Sequence, residues 1–436
     1  MQQNKTNIKS YLYIILITFC VANVALSQNI LTLEEARTLA LNNNLDIQAA
    51  NLEAKSAGMQ VYKANAGLLP RIDWNFNSSG SFNKVNLEFI DGRTLDRYGR
   101  SFAPGSNVSL NWTIYDGNRM QNRYDILKKQ SEFANVAAKQ TTEELLNSTT
   151  ELYYSIARQK YLLEFLRSGL RFYQERLSIT EERWKVGRGS KLDYLQSQND
   201  LNSQLAAIQN GELALTNMKV NMNLLLNRTP DLEFETEDIK ADVTPYTYDQ
   251  MLEKAVAGDE TLQLMEKSIE LNTLNIKDWQ GSRMPRVGFT TALGYNYSQT
   301  NAGQILNSQT LGINGALTAT WNLFDGGHTH KQIEIAKQQG SILETRKALQ
   351  VARIKTNVTL ALQSIKAAQT NLNLEEQNKV LAEENLSIAL EKFKLGASTI
   401  LELNDAQQRY DASIQRFIDA VFALHFAKLN ASQLIN

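Results

Sequence analysis

His328, His330 and His425 are the only imidazoles in the chain, and Cys20 is its only thiol. His328 and His330 stand at i, i+2, which suits two ligands on one side of a strand. The segment after them has a helical pattern, and no acid or cysteine cluster joins them, so an exposed junction is expected there rather than a metal site. No glycine-rich phosphate loop, nucleophile elbow or metalloprotease helix occurs. Neither catalytic residues nor a cofactor is expected. Asp116-Gly117 and Asp325-Gly326-Gly327 read instead as strand-to-helix turns, with aspartate capping and glycine bending. Basic residues number 45 and acidic residues 46, which removes the basic field that nucleic acid requires.

The first residues read as a secretory leader, 1–27. Lys5 and Lys9 supply a positive start, an apolar run follows, and Ala25 and Ser27 have the spacing signal peptidase needs before Gln28. The run is shorter than the ~20 residues of a helical span. Phe19 is too bulky for the residue that precedes a lipid-modified cysteine, so Cys20 is expected to leave with the leader. A mature chain without thiols suits export. No later window is apolar for 18 residues, so membrane insertion must use strands.

The remainder is written twice. Leu31-Thr32-Leu33-Glu34 is echoed by Tyr246-Thr247-Tyr248-Asp249, and Pro70-Arg71-Ile72 by Pro285-Arg286-Val287, both at an offset of 215. Trp112-Thr113-Ile114-Tyr115-Asp116-Gly117 matches Trp321-Asn322-Leu323-Phe324-Asp325-Gly326 at an offset of 209, which persists to Trp184 against Phe393. The repeats are placed at 28–230 and 246–436, with a linker or equatorial segment at 231–245. Each reads as helix, two strands, long helix and helix. Thr32 and Glu35 have capping-box spacing at the start of a helix expected to run to Ala66. Strands are expected at 70–82, 104–116, 285–297 and 310–324. In each, apolar residues such as Ile72, Trp74 and Phe76 alternate with polar ones such as Asp73, Asn75 and Asn77. An ordinary soluble sandwich would show about seven short strands. Four strands of bilayer-crossing length fit a membrane barrel better. Trp112 and Trp321, each near a strand end, suit an interfacial aromatic girdle, with core packing as the alternative.

Long helices are expected at 118–185 and 327–394, each followed by a shorter one at 191–226 and 400–435. The first, at ~1.5 Å per residue, would run roughly 100 Å. Ile156, Leu163, Leu170, Leu177 and Trp184 recur every seventh residue, the period of supercoiled helices. The segments 32–66 and 191–226 together match the length of 118–185, so two stacked helices could run beside one continuous helix. Four strands cannot close a barrel, and lipid does not tolerate an open edge. Two copies would give eight strands and a filled interior, whereas three give twelve and room for water. The expected fold is a mixed α and β membrane protein, a homotrimer with a 12-stranded barrel.

In order and in duplicate, these features resemble the TolC family of outer-membrane factors, over essentially the whole mature chain. The resemblance implies a barrel in the outer membrane of a Gram-negative bacterium, continued by a periplasmic α-helical barrel. It further implies docking to a periplasmic adaptor protein and an inner-membrane pump, with passive conduction and no catalysis. The helix–helix turns would form the periplasmic entrance and the adaptor contact: Val186, Gly187 and Arg188 in one, Leu395, Gly396, Ala397 and Ser398 in the other. Family members often carry acids just beyond the second turn. The matching positions are Glu402 and Asp405, with Asp193 in the first repeat, and three copies would favour cations. Where family channels lock the entrance with tyrosine and arginine, this chain has Phe393 and Ser398. Arg188, paired with Asp193 or Glu402, is the expected substitute lock. A soluble periplasmic coiled-coil scaffold or adaptor is the alternative reading.

Overall fold

A computed structural model describes residues 30–237, 247–301 and 305–435. The leader 1–27, most of the segment 231–245, Tyr246 and the terminal Asn436 lie outside the described residues. The chain forms two compact units. One comprises 51–139 and 260–351; the other takes the chain up to 50, 140–259 and 352–436.

Thr32 starts helix α1 (Leu33–Asn43) with a reciprocal capping box. Glu35 N donates to Thr32 Oγ1 at 3.2 Å, and Thr32 N to Glu35 Oε2 at 3.0 Å. The helix expected to continue to Ala66 breaks at Asn44, whose backbone is extended. Its side-chain oxygen accepts from Asp46 N and Ile47 N, starting α2 (Leu45–Met59), while Nδ2 donates to Leu225 O at 2.9 Å. α2 then ends seven residues short of Ala66, and turns fill 60–70. The second repeat breaks at the matching residue, Asp259, between α5 (Tyr248–Gly258) and α6 (Glu260–Gly281).

The unit built on 51–139 and 260–351 holds one four-stranded sheet. Its strands are β2 (Arg71–Glu88), β3 (Thr94–Tyr115), β5 (Arg286–Thr300) and β6 (Asn307–Thr320), antiparallel in the order β2-β3-β5-β6. β2 and β6 are edge strands without partners among the described residues. The register places Ile72 opposite Leu110, Trp74 opposite Val108, Trp112 opposite Phe289, Leu293 opposite Ile313 and Phe289 opposite Leu317. One face is therefore apolar across all four strands, and its side chains are exposed, Ile313 at 77%. The opposite face carries Asn75, Asn77, Asn107, Ser109, Asn111, Asn296, Asn314 and Thr318.

Three expected strand limits are corrected. β2 and β3 run through most of 82–104, past the expected strand limits at 82 and 104, and turn only at 89–93, where Phe89 N donates to Arg93 O and Gly92 takes φ +81°. Low hydrophobicity and Pro104 had hidden this. Proline has no N–H to give, and the β3–β5 pairing passes from Phe102 to Gly105 without using it. β6 stops at Thr320, short of the expected 324, because Trp321 leaves the ladder and its Nε1 donates to Arg283 O at 2.9 Å. Trp112 Nε1 does the same to Leu68 O at 3.3 Å. Both tryptophans thus tie a strand end to the carbonyl two residues before the proline that opens the repeat's first strand, with their rings exposed.

The strand-to-helix turns behave as the sequence implied. Asp116 Oδ1 caps Met120 N at 3.0 Å and starts α3 (Arg119–Lys185); Asp325 Oδ2 caps Thr329 N at 2.9 Å and starts α7 (His328–Leu395). Gly117 does more than bend. Its φ is +74°, and a Cβ there would stand 2.2 Å from Gly281 O, backbone that cannot step aside. Gly117→Ala should therefore lower thermal stability by at least about 1–3 kcal/mol, the usual cost of overpacking. An unchanged melting temperature would contradict this packing.

The other unit is helical. β1 (Ile30–Leu31) pairs in parallel with β4 (Glu235–Thr236). Leu31, Ala36, Ala40, Leu146, Tyr153, Ile156, Met222, Leu226 and Phe234 bury one another there. Tyr153 donates to Leu31 O at 2.8 Å and accepts from Glu237 N at 3.1 Å, and burial pushes its phenol up to about 12. Gln159, which interrupts a heptad series, is buried and donates to Gly211 O at 3.1 Å. Gly211 sits in α4 (Lys191–Leu225), and its lack of a side chain gives Leu163 and Gln159 room.

Candidate functional site

Two turns join the long helices to their successors, and both are built alike. At the end of α3, Arg188 N donates to Arg183 O at 2.8 Å and Gly187 N to Trp184 O at 3.0 Å. At the end of α7, Ala397 N donates to Lys392 O at 2.9 Å and Gly396 N to Phe393 O at 3.0 Å. These paired bonds define a Schellman ending, which needs a left-handed residue. Gly187 and Gly396 supply it at φ +73° and +77°. Ser190 then caps α4 through Leu192 N, and Thr399 caps α8 (Ile400–Gln433) through Glu402 N. Val186 and Leu395 project as exposed apolar side chains from the two turns.

Glu402 and Asp405 are both exposed, one helical turn apart on α8, and Asp193 is half-buried in the first turn of α4. Asp405 is not a free carboxylate, because Arg409 Nε donates to it at 2.8 Å. Within the chain Arg188 is exposed and pairs with neither Asp193 nor Glu402, so the expected ion pair is not formed. The residue that reaches across is Arg183. Its guanidinium lies over the Phe393 ring at 4.4 Å, and Nη2 donates to the carbonyls of Phe393 and Lys394, in the last turn of α7. Phe393 itself is 3% exposed, packed with Ile400 and Leu403. Ser398 Oγ is buried and has no partner.

Behind the turns lies a polar network that the sequence reading missed. Arg176 of α3 donates to Asp200 of α4 and to Asn404 of α8, and its side chain is 2% exposed. One turn earlier, Tyr173 donates to Asp411 Oδ2 at 2.9 Å, and Gln407 Nε2 donates to Oδ1 at 2.7 Å. Three helices are thereby joined through charge-assisted bonds. One signal was available: Tyr173 occupies the same heptad series as Gln159, and polar groups on a buried seam need partners.

Burial pushes the Asp411 carboxyl above its ordinary range, against the opposing pull of Gln407, Tyr173 and the Arg176 charge. Burial, then the Asp411 charge, likewise raises the Tyr173 phenol. The folded chain therefore holds the Asp411 proton more tightly than the unfolded chain does. This contribution favours folding below the ordinary carboxylate pKa of about 3.9 and is lost as pH rises through the raised value. Asp411→Asn cannot titrate, so its melting temperature should rise relative to that of the parent as pH increases above about 4. Identical pH slopes would contradict the assignment.

The described residues thus combine a sheet that is apolar on one face and polar on the other with two long helices that end in matched turns. Residues 36–228 and 251–433 both match the family Outer membrane efflux protein, and the chain belongs to that family. Its relatives include the alkaline protease secretion protein AprF of Pseudomonas aeruginosa, 24% identical over 67% of this chain and 60% of that protein. The chain thus spans less than two thirds of AprF. The cation efflux system protein CusC of Escherichia coli strain K12 is 23% identical over 88% of this chain and 82% of its own length. The crystal structure of the CmeC outer membrane channel of Campylobacter jejuni superposes with a TM-score of 0.75 at 16% identity, over 92% of this chain and 85% of that one.

Proposed function

We propose that this protein is the exit duct of a tripartite efflux or secretion system, closed as a homotrimer and conducting passively without catalysis. Three copies joined edge to edge supply twelve strands, apolar toward lipid and amide-lined toward water, and their helices form a periplasmic α-helical barrel. The carrying observation is the four-stranded sheet itself. Its exposed apolar face has no protein cover among the described residues, and unpaired strand edges are not tolerated in lipid. A soluble coiled-coil scaffold accounts for neither feature. Two matches to one family support reading the chain as two tandem repeats.

The turns at 186–190 and 395–399 would face the periplasm, where Val186 and Leu395 offer an adaptor two apolar contacts and an inner-membrane pump supplies the energy. Glu402 and Asp193 would carry most of the negative field at the entrance, since Arg409 partly neutralises Asp405. Trp112 and Trp321 would sit at the periplasmic interface of the outer membrane. The names of AprF and CusC pair this architecture with a protease and with cations, which fits a duct that conducts what a pump selects. The test is edge pairing. Cysteines placed on β2 at Asn75 and on β6 at Thr318 or its same-face neighbours should oxidise to species of two and three linked chains in the membrane. Monomer at every β6 position tried would refute the closed trimer.

A further inference from the structure

The strands continue beyond the stretch that alternation suggested, and this gives the hairpin a face. Phe82, Lys84, Tyr98, Arg100 and Phe102 share the face of Ile72, Trp74 and Trp112, because register is unbroken from Arg71–Asn111 to Glu88–Thr94. Ten residues separate Trp112 from Phe102. At ~3.4 Å per residue and a tilt of ~40° they rise about 25 Å, the height of the apolar band of an outer-membrane barrel. Phe102 therefore marks the outer edge of the hydrocarbon, and the pairs Phe82–Arg100 and Lys84–Tyr98 come next. The four-stranded sheet ends at this level, where Asn301 bonds the backbone of Arg100.

The group is built. Phe82 and Tyr98 stack with centroids 5.4 Å apart and planes 3° from parallel, and the Arg100 guanidinium lies over Phe82 at 5.5 Å. Lys84 reaches Asp96 at 3.6 Å, whereas Arg100 has no carboxylate partner among the described residues. Glu88, the other acid on this face, lies at the far end of the hairpin, opposite Thr94. An exposed guanidinium held on an aromatic shelf, with an ammonium beside it, matches a phosphate by charge and by bidentate geometry. Continuity with the lipid-facing surface selects the carrier.

We propose that Arg100 and Lys84, on the shelf of Phe82 and Tyr98, bind the phosphate of an outer-leaflet lipid headgroup and fix the depth of the barrel. This rests on the lipid-facing assignment above. The test uses the whole protein in non-ionic detergent, with retained lipid counted by native mass spectrometry. The probes are a bisphosphorylated acyl-glucosamine disaccharide (lipid A), the same lipid stripped of phosphate, and free inorganic phosphate as competitor. The parent should retain the phosphorylated lipid several-fold better. Arg100→Gln should reduce that preference about fivefold, the worth of one cation near an anionic surface, and adding Lys84→Gln should remove the rest. Arg93→Gln, in the turn at the hairpin tip and beyond the shelf, should change nothing. Equal retention of the two lipids by the parent, or an undiminished preference in the double variant, overturns the site. Displacement by millimolar phosphate alone would show a general anion site and overturn the lipid assignment. The comparison on the parent decides even where a variant fails to assemble. Channel conductance without lipid preference defeats this inference only; loss of both defeats the duct as well.

Discussion

Ile313→Arg should prevent assembly in the membrane, while Asn314→Arg, the next residue of β6, should assemble normally. Ile313 projects from the apolar face near the middle of its strand, and an arginine there costs about 2–4 kcal/mol per copy if that face meets hydrocarbon. Asn314 projects from the polar face. An arginine there stays in water, adds positive charge to the lumen and should shift the reversal potential of the open channel toward anions. Detergent-extracted oligomer on a semi-native gel measures the first effect, and bilayer reversal potentials the second. Two variants that assemble equally would show that the faces are not distinguished by lipid.

The second large effect concerns the buried cation. Asp200→Ala leaves the Arg176 guanidinium, 2% exposed in the parent, with Asn404 as its one hydrogen-bonded side chain among the described residues, where its Nε already lacks a partner. Removing one member of such a pair costs about 3–5 kcal/mol, because the remaining charge is neither hydrated nor compensated. The helical unit should therefore melt well below the parent. Asp200→Asn keeps an acceptor and should cost less. Arg176→Met combined with Asp200→Ala should recover much of the loss, since an apolar replacement needs no counter-charge. A double variant as unstable as Asp200→Ala alone would place the cost elsewhere.

What the sequence disclosed follows from which forces act locally. Alternation at Ile72, Trp74 and Phe76 exposed the strands because each strand's two faces meet different environments, and the doubled Trp and Asp-Gly signals marked the turns. Past Phe82 the alternation fades into asparagine and charge, so the expected strand stopped at 82. Asn44 broke a helix without proline or glycine, through side-chain bonds whose partners include Leu225, far along the chain. Arg183 and Arg176 were missed for a related reason. Each lies on a helix that is polar on most sides, and its partners, Phe393, Asp200 and Asn404, are 24 to 228 residues away. Periodicity reports burial, but it does not report which polar groups meet. The turn at Gly396 was legible, whereas the guanidinium that secures it was not.

Addition of the purified mature protein to a planar lipid bilayer is the most direct measurement. Uniform single-channel steps, reproduced by Asn314→Arg with altered selectivity and absent for Ile313→Arg, are what an amide-lined pore closed by three copies predicts. A protein that stays monomeric without detergent and never raises the bilayer conductance would contradict it.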